Sequence, residues 1–126
     1  MTNPTTVFFV AGVQFTKYKD FAHNIAGGDL VKLRHNPLNP YDNKAIELHW
    51  VDTDSTLHMI GHVPKDNPEK GNTAQGDLFN WHKLGGKNFV AKILNHFPSN
   101  KMWQCLQVVV TCDLDTSVTD FVDFSV

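Results

Sequence analysis

The chain has 126 residues, 41% of them hydrophobic, and a net charge of −2. That size suits one domain with a core that needs no disulfide or metal staple. No stretch approaches the roughly 20 apolar residues of a membrane span, and a strongly basic coating protein for long nucleic acid is excluded by the charge balance.

The predicted elements are short and mostly extended. Val7 to Val13 reads as a first strand, and Thr16 to Gly28 as a polar and aromatic connection closed by Gly27-Gly28. Asp29 to His35 alternates Leu30, Lys32 and Arg34 against Val31, Leu33 and His35, the pattern of a strand with a basic edge. Such charges can contact phosphate or keep an edge from aggregating.

Two prolines stiffen the next loop, Asn36-Pro37-Leu38-Asn39-Pro40-Tyr41-Asp42. Ala45 to Val51 and Thr56 to Val63 then form a predicted hairpin around Asp52-Thr53-Asp54-Ser55. Asn67 and Pro68 have the chemistry of a helix cap and first helical residue. Leu78, Trp81 and Leu84 share a helical face that ends at Gly85-Gly86. Phe89 to Phe97 and Met102 to Cys112 are two further strands. About six short strands with one or two short helices predict a mainly β fold, a small barrel of the OB-like or SH3-like kind.

Catalytic and metal signatures do not emerge. Cys105 and Cys112 are seven apart in one predicted strand, so they face opposite sides and read as buried free thiols. Among the seven histidines, His58 and His62 share a strand face about 13 Å apart, and His49 faces His58 across the hairpin without a third ligand. There is no Cys-x-x-Cys or His-Glu-x-x-His spacing, no phosphate-cradling Gly-x-x-x-x-Gly-Lys-Ser loop and no nucleophile elbow. No metal or cofactor is expected, and the chain reads as a binding module rather than an enzyme. Met1 to Thr6 has neither a basic region nor an apolar run, so a cytoplasmic location is expected.

Val10-Ala11-Gly12-Val13, Leu30-Val31-Lys32-Leu33-Arg34-His35, the Asn39-Pro40-Tyr41-Asp42 loop with Ala45-Ile46, and Ile60-Gly61-His62-Val63-Pro64-Lys65 together resemble a HIRAN domain. This module occurs at the N-terminus of some fork-remodelling SWI/SNF-type ATPases and as small stand-alone proteins. The resemblance spans the first half of the chain and implies a single domain over residues 1–126. It implies a β-barrel related to OB folds that binds the 3′ end of single-stranded DNA in repair or replication. A separate helicase or nuclease would supply the chemistry.

The same resemblance implies Gln14, Phe15, Asn39, Tyr41, Asp42, His62, Lys65 and Phe97 as the DNA-contacting positions. An aspartate there accepts a hydrogen bond from a terminal hydroxyl and repels a bridging phosphate; by itself it is also a common loop-turn residue. Tyr41 offers a ring to a base, or packs it against the barrel. Phe15 stacks or joins the core. His62 and Lys65 donate to the phosphates behind the terminal nucleotide, and Phe97 presents another ring. Gln14 stands where DNA-binding HIRAN domains can carry arginine, which removes a charge and a planar stacking group. That departure, with the net acidity, supports the alternative of a protein-interaction module.

Residues 113–126 hold four of the thirteen acidic residues and no lysine or arginine, leaving nine acidic against eleven basic in the body. This acidic segment reads as a terminal edge strand with Val122, Phe124 and Val126 inward. The alternatives are a peptide recognised by a partner, or a cover over the basic face.

Overall fold

The computed structural model describes residues 4–83, 88–113 and 122–123. Among them the chain is mainly β: β1 (Thr5–Phe9), β2 (Leu30–Asn36), β3 (Ala45–Val51), β4 (Leu57–His62), β5 (Asn88–His96), β6 (Leu106–Asp113) and the short β7 (Val122–Asp123), with helices α1 (Tyr18–Phe21) and α2 (Ala74–Lys83). Short 3₁₀ turns at Val13–Phe15, Ala22–Asn24, Pro68–Lys70 and Met102–Gln104 link them.

The strands form one sheet in the order β1-β6-β5-β2-β3-β4, each neighbour antiparallel. Its ends meet. Ala11, just past β1, exchanges both backbone bonds with His62 at the end of β4, 2.9 Å and 2.8 Å long. That pair closes the sheet into a barrel and shields its two edge strands at one point.

Alternation fills the inside. Val31, Leu33 and His35 of β2, Ile46, Leu48 and Trp50 of β3, Phe89, Ala91 and Ile93 of β5, and Leu106, Val108, Val110 and Cys112 of β6 are all buried. The 3₁₀ turn and α1 add Val13, Tyr18 and Phe21, whose ring stacks on Trp50 at 5.4 Å. His96 Nδ1 donates to Ile25 O at 3.1 Å, so its Nε2 accepts from the Tyr18 hydroxyl at 2.6 Å and ties α1 to β5.

Several sequence expectations are corrected. The first strand stops at Phe9, and Val13 lies in a 3₁₀ turn, because Gly12 takes a left-handed φ of 73°. β2 is not an edge: β3 flanks one side, and β5 and β7 share the other. Lys32 and Arg34 therefore project from the outer face of an interior strand. The bulge that makes Ile60 an extra residue on β4 shifts the hairpin register, so Trp50 rather than His49 opposes His58.

The Asn67-Pro68 start yields only a 3₁₀ turn. Asn67 instead exchanges backbone bonds of 2.9 Å and 3.0 Å with Asn72 to close a small loop, and α2 begins at Ala74. Cys105 precedes β6, so the two cysteines do not share a strand, but both are free and buried as expected. Within the acidic segment, β7 runs parallel to β2, pairing Leu33 with Val122 and Arg34 with Asp123. Phe124, Val126, Leu84 and the Gly85-Gly86 stop lie outside the described residues.

Gly61 makes the closure possible. Its φ is 140°, and a β-carbon there would clash with Ala11 O and with Val10 Cγ1. Gly61→Ala is expected to cost about 3 kcal/mol in a denaturant titration, since it combines a forbidden backbone region with a main-chain clash. A loss below about 1 kcal/mol would show that the barrel does not depend on this approach.

Candidate nucleic-acid interface

The loop between β2 and β3 is held by its own side chains. Asn36 Oδ1 accepts from Leu38 N at 3.2 Å, and Asn39 Oδ1 accepts from Tyr41 N at 2.9 Å and Asp42 N at 3.1 Å. Asp42 Oδ1 accepts from Lys44 N at 2.9 Å, and Ala45 N donates to Asp42 O at 3.1 Å. These Asx-type bonds replace a sheet ladder. Asn39 thus spends its amide oxygen in shaping the loop rather than facing outward. Tyr41 is carried at the crest, its side chain 92% exposed and contributing nothing to the core.

Asp42 is both turn residue and poised acceptor. Its Oδ2 accepts from Gln75 Nε2 at 2.8 Å, and the same amide donates to Lys44 O at 2.9 Å. Partial burial pushes the Asp42 carboxyl up. The Gln75 and Lys44 N–H bonds and the charges of Lys65 and Lys44 outweigh it, and the group lies below the usual carboxylate range. Each oxygen keeps acceptor capacity, since a carboxylate offers about four lone-pair sites.

Gln75 was not legible in the sequence. It is buried in the first turn of α2, and placing the helix start at Asn67 gave it no special position. A cleft of about 340 Å³ beside it is lined by Asp42, Lys44, Lys65, Gln75, Phe79 and Asn80.

A second cleft, of about 510 Å³, runs along β4 and is lined by Phe15, Thr16, Lys17, Phe21, Met59 and His62. Phe15 is 86% exposed, so it is not a core residue. His62 lines this second cleft. Its Nδ1 lies 3.8 Å from where a Gly12 β-carbon would stand, as does Phe15 Cδ2, and its ring also feels the charge of Asp42. Burial pushes the His62 imidazole below the ordinary histidine range; Glu47 and Asp42 only partly offset this, and His49 adds to it. The strand registers align Arg34, Glu47 and His62 across β2, β3 and β4.

Gln14 and Phe97 line neither cleft. Gln14 is exposed on the 3₁₀ turn beside Phe15. Phe97 opens the connection from β5 to β6, where its N–H donates to Cys105 O at 2.7 Å. That connection carries an exposed ring the sequence reading passed over, Trp103. Among the described residues no three His, Cys, Asp or Glu side chains converge on a metal position, and no helix is long and apolar enough to cross a membrane.

Fold and site together define a small β-barrel with exposed rings beside an oriented carboxylate. No family model matches the chain, and no curated protein matches it. A solved structure does: the crystal structure of the HIRAN domain of human HLTF, 16% identical, covering 86% of this chain and 74% of that one with a TM-score of 0.49.

Removing the Gln75 amide tests the site electrostatics. In Gln75→Leu the Asp42 carboxyl is expected to titrate higher, read by carbon-detected NMR. The stability that these bonds contribute is present above the ordinary carboxylate range. It is lost as pH falls through the depressed Asp42 pKa, and this acid-side loss should be smaller in the variant. An unchanged Asp42 titration would show that Gln75 does not set its charge.

Proposed function

We propose that this protein binds single-stranded DNA at a 3′-hydroxyl end and is a recognition module rather than an enzyme. The observation that carries the reading is the Asp42 carboxylate, held ionised by Gln75 and Lys44 N beside the solvent-exposed Tyr41 ring. A terminal hydroxyl donates a hydrogen bond to it, and an internal nucleotide offers only a phosphate there and is repelled. Tyr41 and Phe15 supply faces for bases without sequence preference. Lys65 and His62 donate to the phosphates behind the terminal nucleotide. The resemblance of the Asn39–Asp42 and Ile60–Lys65 motifs to HIRAN domains supports the same assignment. Processing of the bound end in repair or replication then falls to a separate helicase or nuclease.

Fluorescence anisotropy with a 3′-hydroxyl oligonucleotide, its 3′-phosphate and a circle without ends tests the reading. The phosphate is expected to bind at least about tenfold more weakly, or about 1.4 kcal/mol. Tyr41→Ala should cost roughly 1–3 kcal/mol of binding while leaving the melting temperature nearly unchanged. Equal affinity for all three ligands overturns end recognition. Binding to none of them favours a protein partner.

The depressed His62 pKa sets a pH dependence. At pH 7.5 the ring is neutral, and a bound phosphate favours the imidazolium, so binding takes up a proton. Affinity is expected to rise as pH falls from about 7.5 toward about 5.5. Asp42 stays ionised across that window, so selection against the 3′-phosphate persists. A His62→Gln protein whose pH profile matches the wild type would remove His62 from the phosphate path.

A further inference from the structure

The turn Met102–Gln104 carries Trp103, whose side chain is 57% exposed. It is one of several exposed rings, with Phe15 and Tyr41, and it has a cation beside it. Lys101 Nζ lies 5.3 Å from the centre of that ring. The backbone holds this presentation firmly: Gln104 N donates to Lys101 O at 2.8 Å, Asn100 N to Phe97 O at 2.9 Å, and Cys105 Sγ to Met102 O at 3.2 Å. The turn lies alongside the Val13–Phe15 turn, which carries the exposed Phe15. Phe15 in turn lines the same cleft as His62.

We propose that Trp103 and Lys101 form a second stacking platform, taking a base and its phosphate from the same DNA strand on the 5′ side of the terminal nucleotides. The inference rests on the reading of the Asp42 pocket as a 3′-end site. Two features select nucleic acid as the occupant: the turn of the platform packs beside the turn that carries Phe15, and a cation accompanies its ring, matching a base joined to a phosphate.

The test uses the full chain and three ligands with a 3′-hydroxyl: a trinucleotide, a dodecanucleotide, and a dodecanucleotide abasic except at its two 3′ positions. The wild type is expected to bind the full dodecanucleotide about tenfold more tightly than the abasic one, the gain of about one stacked base. Trp103→Ala should collapse that difference and leave trinucleotide affinity unchanged, and Trp103→Phe should restore most of it. Intrinsic fluorescence gives a second readout. Trp50 is buried and Trp81 partly so, and the full dodecanucleotide should quench an emission component that Trp103→Ala lacks. A full-to-abasic difference that survives in Trp103→Ala overturns the platform, even where selection for the 3′-hydroxyl persists. Failure of the wild type to prefer a 3′-hydroxyl over a 3′-phosphate overturns the end-site reading itself, and with it this extension.

Discussion

The two backbone hydrogen bonds between Ala11 and His62 are the constraint on which the site depends. They join the first and last strands of the sheet and draw the Val13–Phe15 turn against the end of β4. That approach needs Gly61, whose φ of 140° and missing β-carbon let the Ala11 carbonyl in. A side chain at position 61 would push the edges apart, and Phe15 would lose its place beside His62. Barrel closure therefore also sets Phe15 beside His62, and the residue that makes it possible carries no chemistry of its own.

The second constraint is polar. The β2–β3 loop has no sheet partners, so its N–H groups need other acceptors. Asn36, Asn39 and Asp42 supply them in succession, which fixes where the Tyr41 ring emerges. Gln75 then anchors the loop to α2 through Asp42 and Lys44. A buried amide that lost these partners would cost roughly 1–3 kcal/mol, so the carboxylate is oriented by a group that cannot readily leave it. The asparagine and aspartate content of the loop serves shape first, and the ligand-facing capacity of Asp42 is what remains after the turn is satisfied.

This division explains what was legible in the sequence. Period-two alternation in β2, β3, β5 and β6 revealed the barrel, because half-buried strands must write their inner face into every second residue. The loop that carries Tyr41 and Asp42 could be read because two prolines and two asparagines mark it plainly, whereas the roles proposed for the two residues come from the HIRAN resemblance. Gln75 could not, because its role depends on where α2 begins, and the Asn67–Asn72 loop displaced that start by consuming the backbone groups of Asn67. The register shift at Ile60 was hidden for a similar reason: a bulge leaves alternation intact on both sides while moving every partner by one residue. Trp103 escaped because it stands in a stretch read as a strand, where a tryptophan suggests burial.

The charge balance fits an end reader better than a coating protein. A phosphate brought within about 4 Å of an ionised carboxylate near a protein surface is repelled by up to about 4 kcal/mol, less where salt screens the pair. A stacked base contributes roughly 1–3 kcal/mol. On the proposed reading, the penalty at Asp42 is thus comparable to one whole stacking contact, and an internal nucleotide cannot recover it by sliding its base onto Tyr41. Rings that accept any base supply affinity, and one carboxylate that rejects phosphate supplies selection. Neither task calls for a basic surface. On the same proposed reading a net charge of −2 becomes an asset, because weak attraction to phosphate along the strand would leave the terminal hydroxyl as the feature that decides where the protein stays.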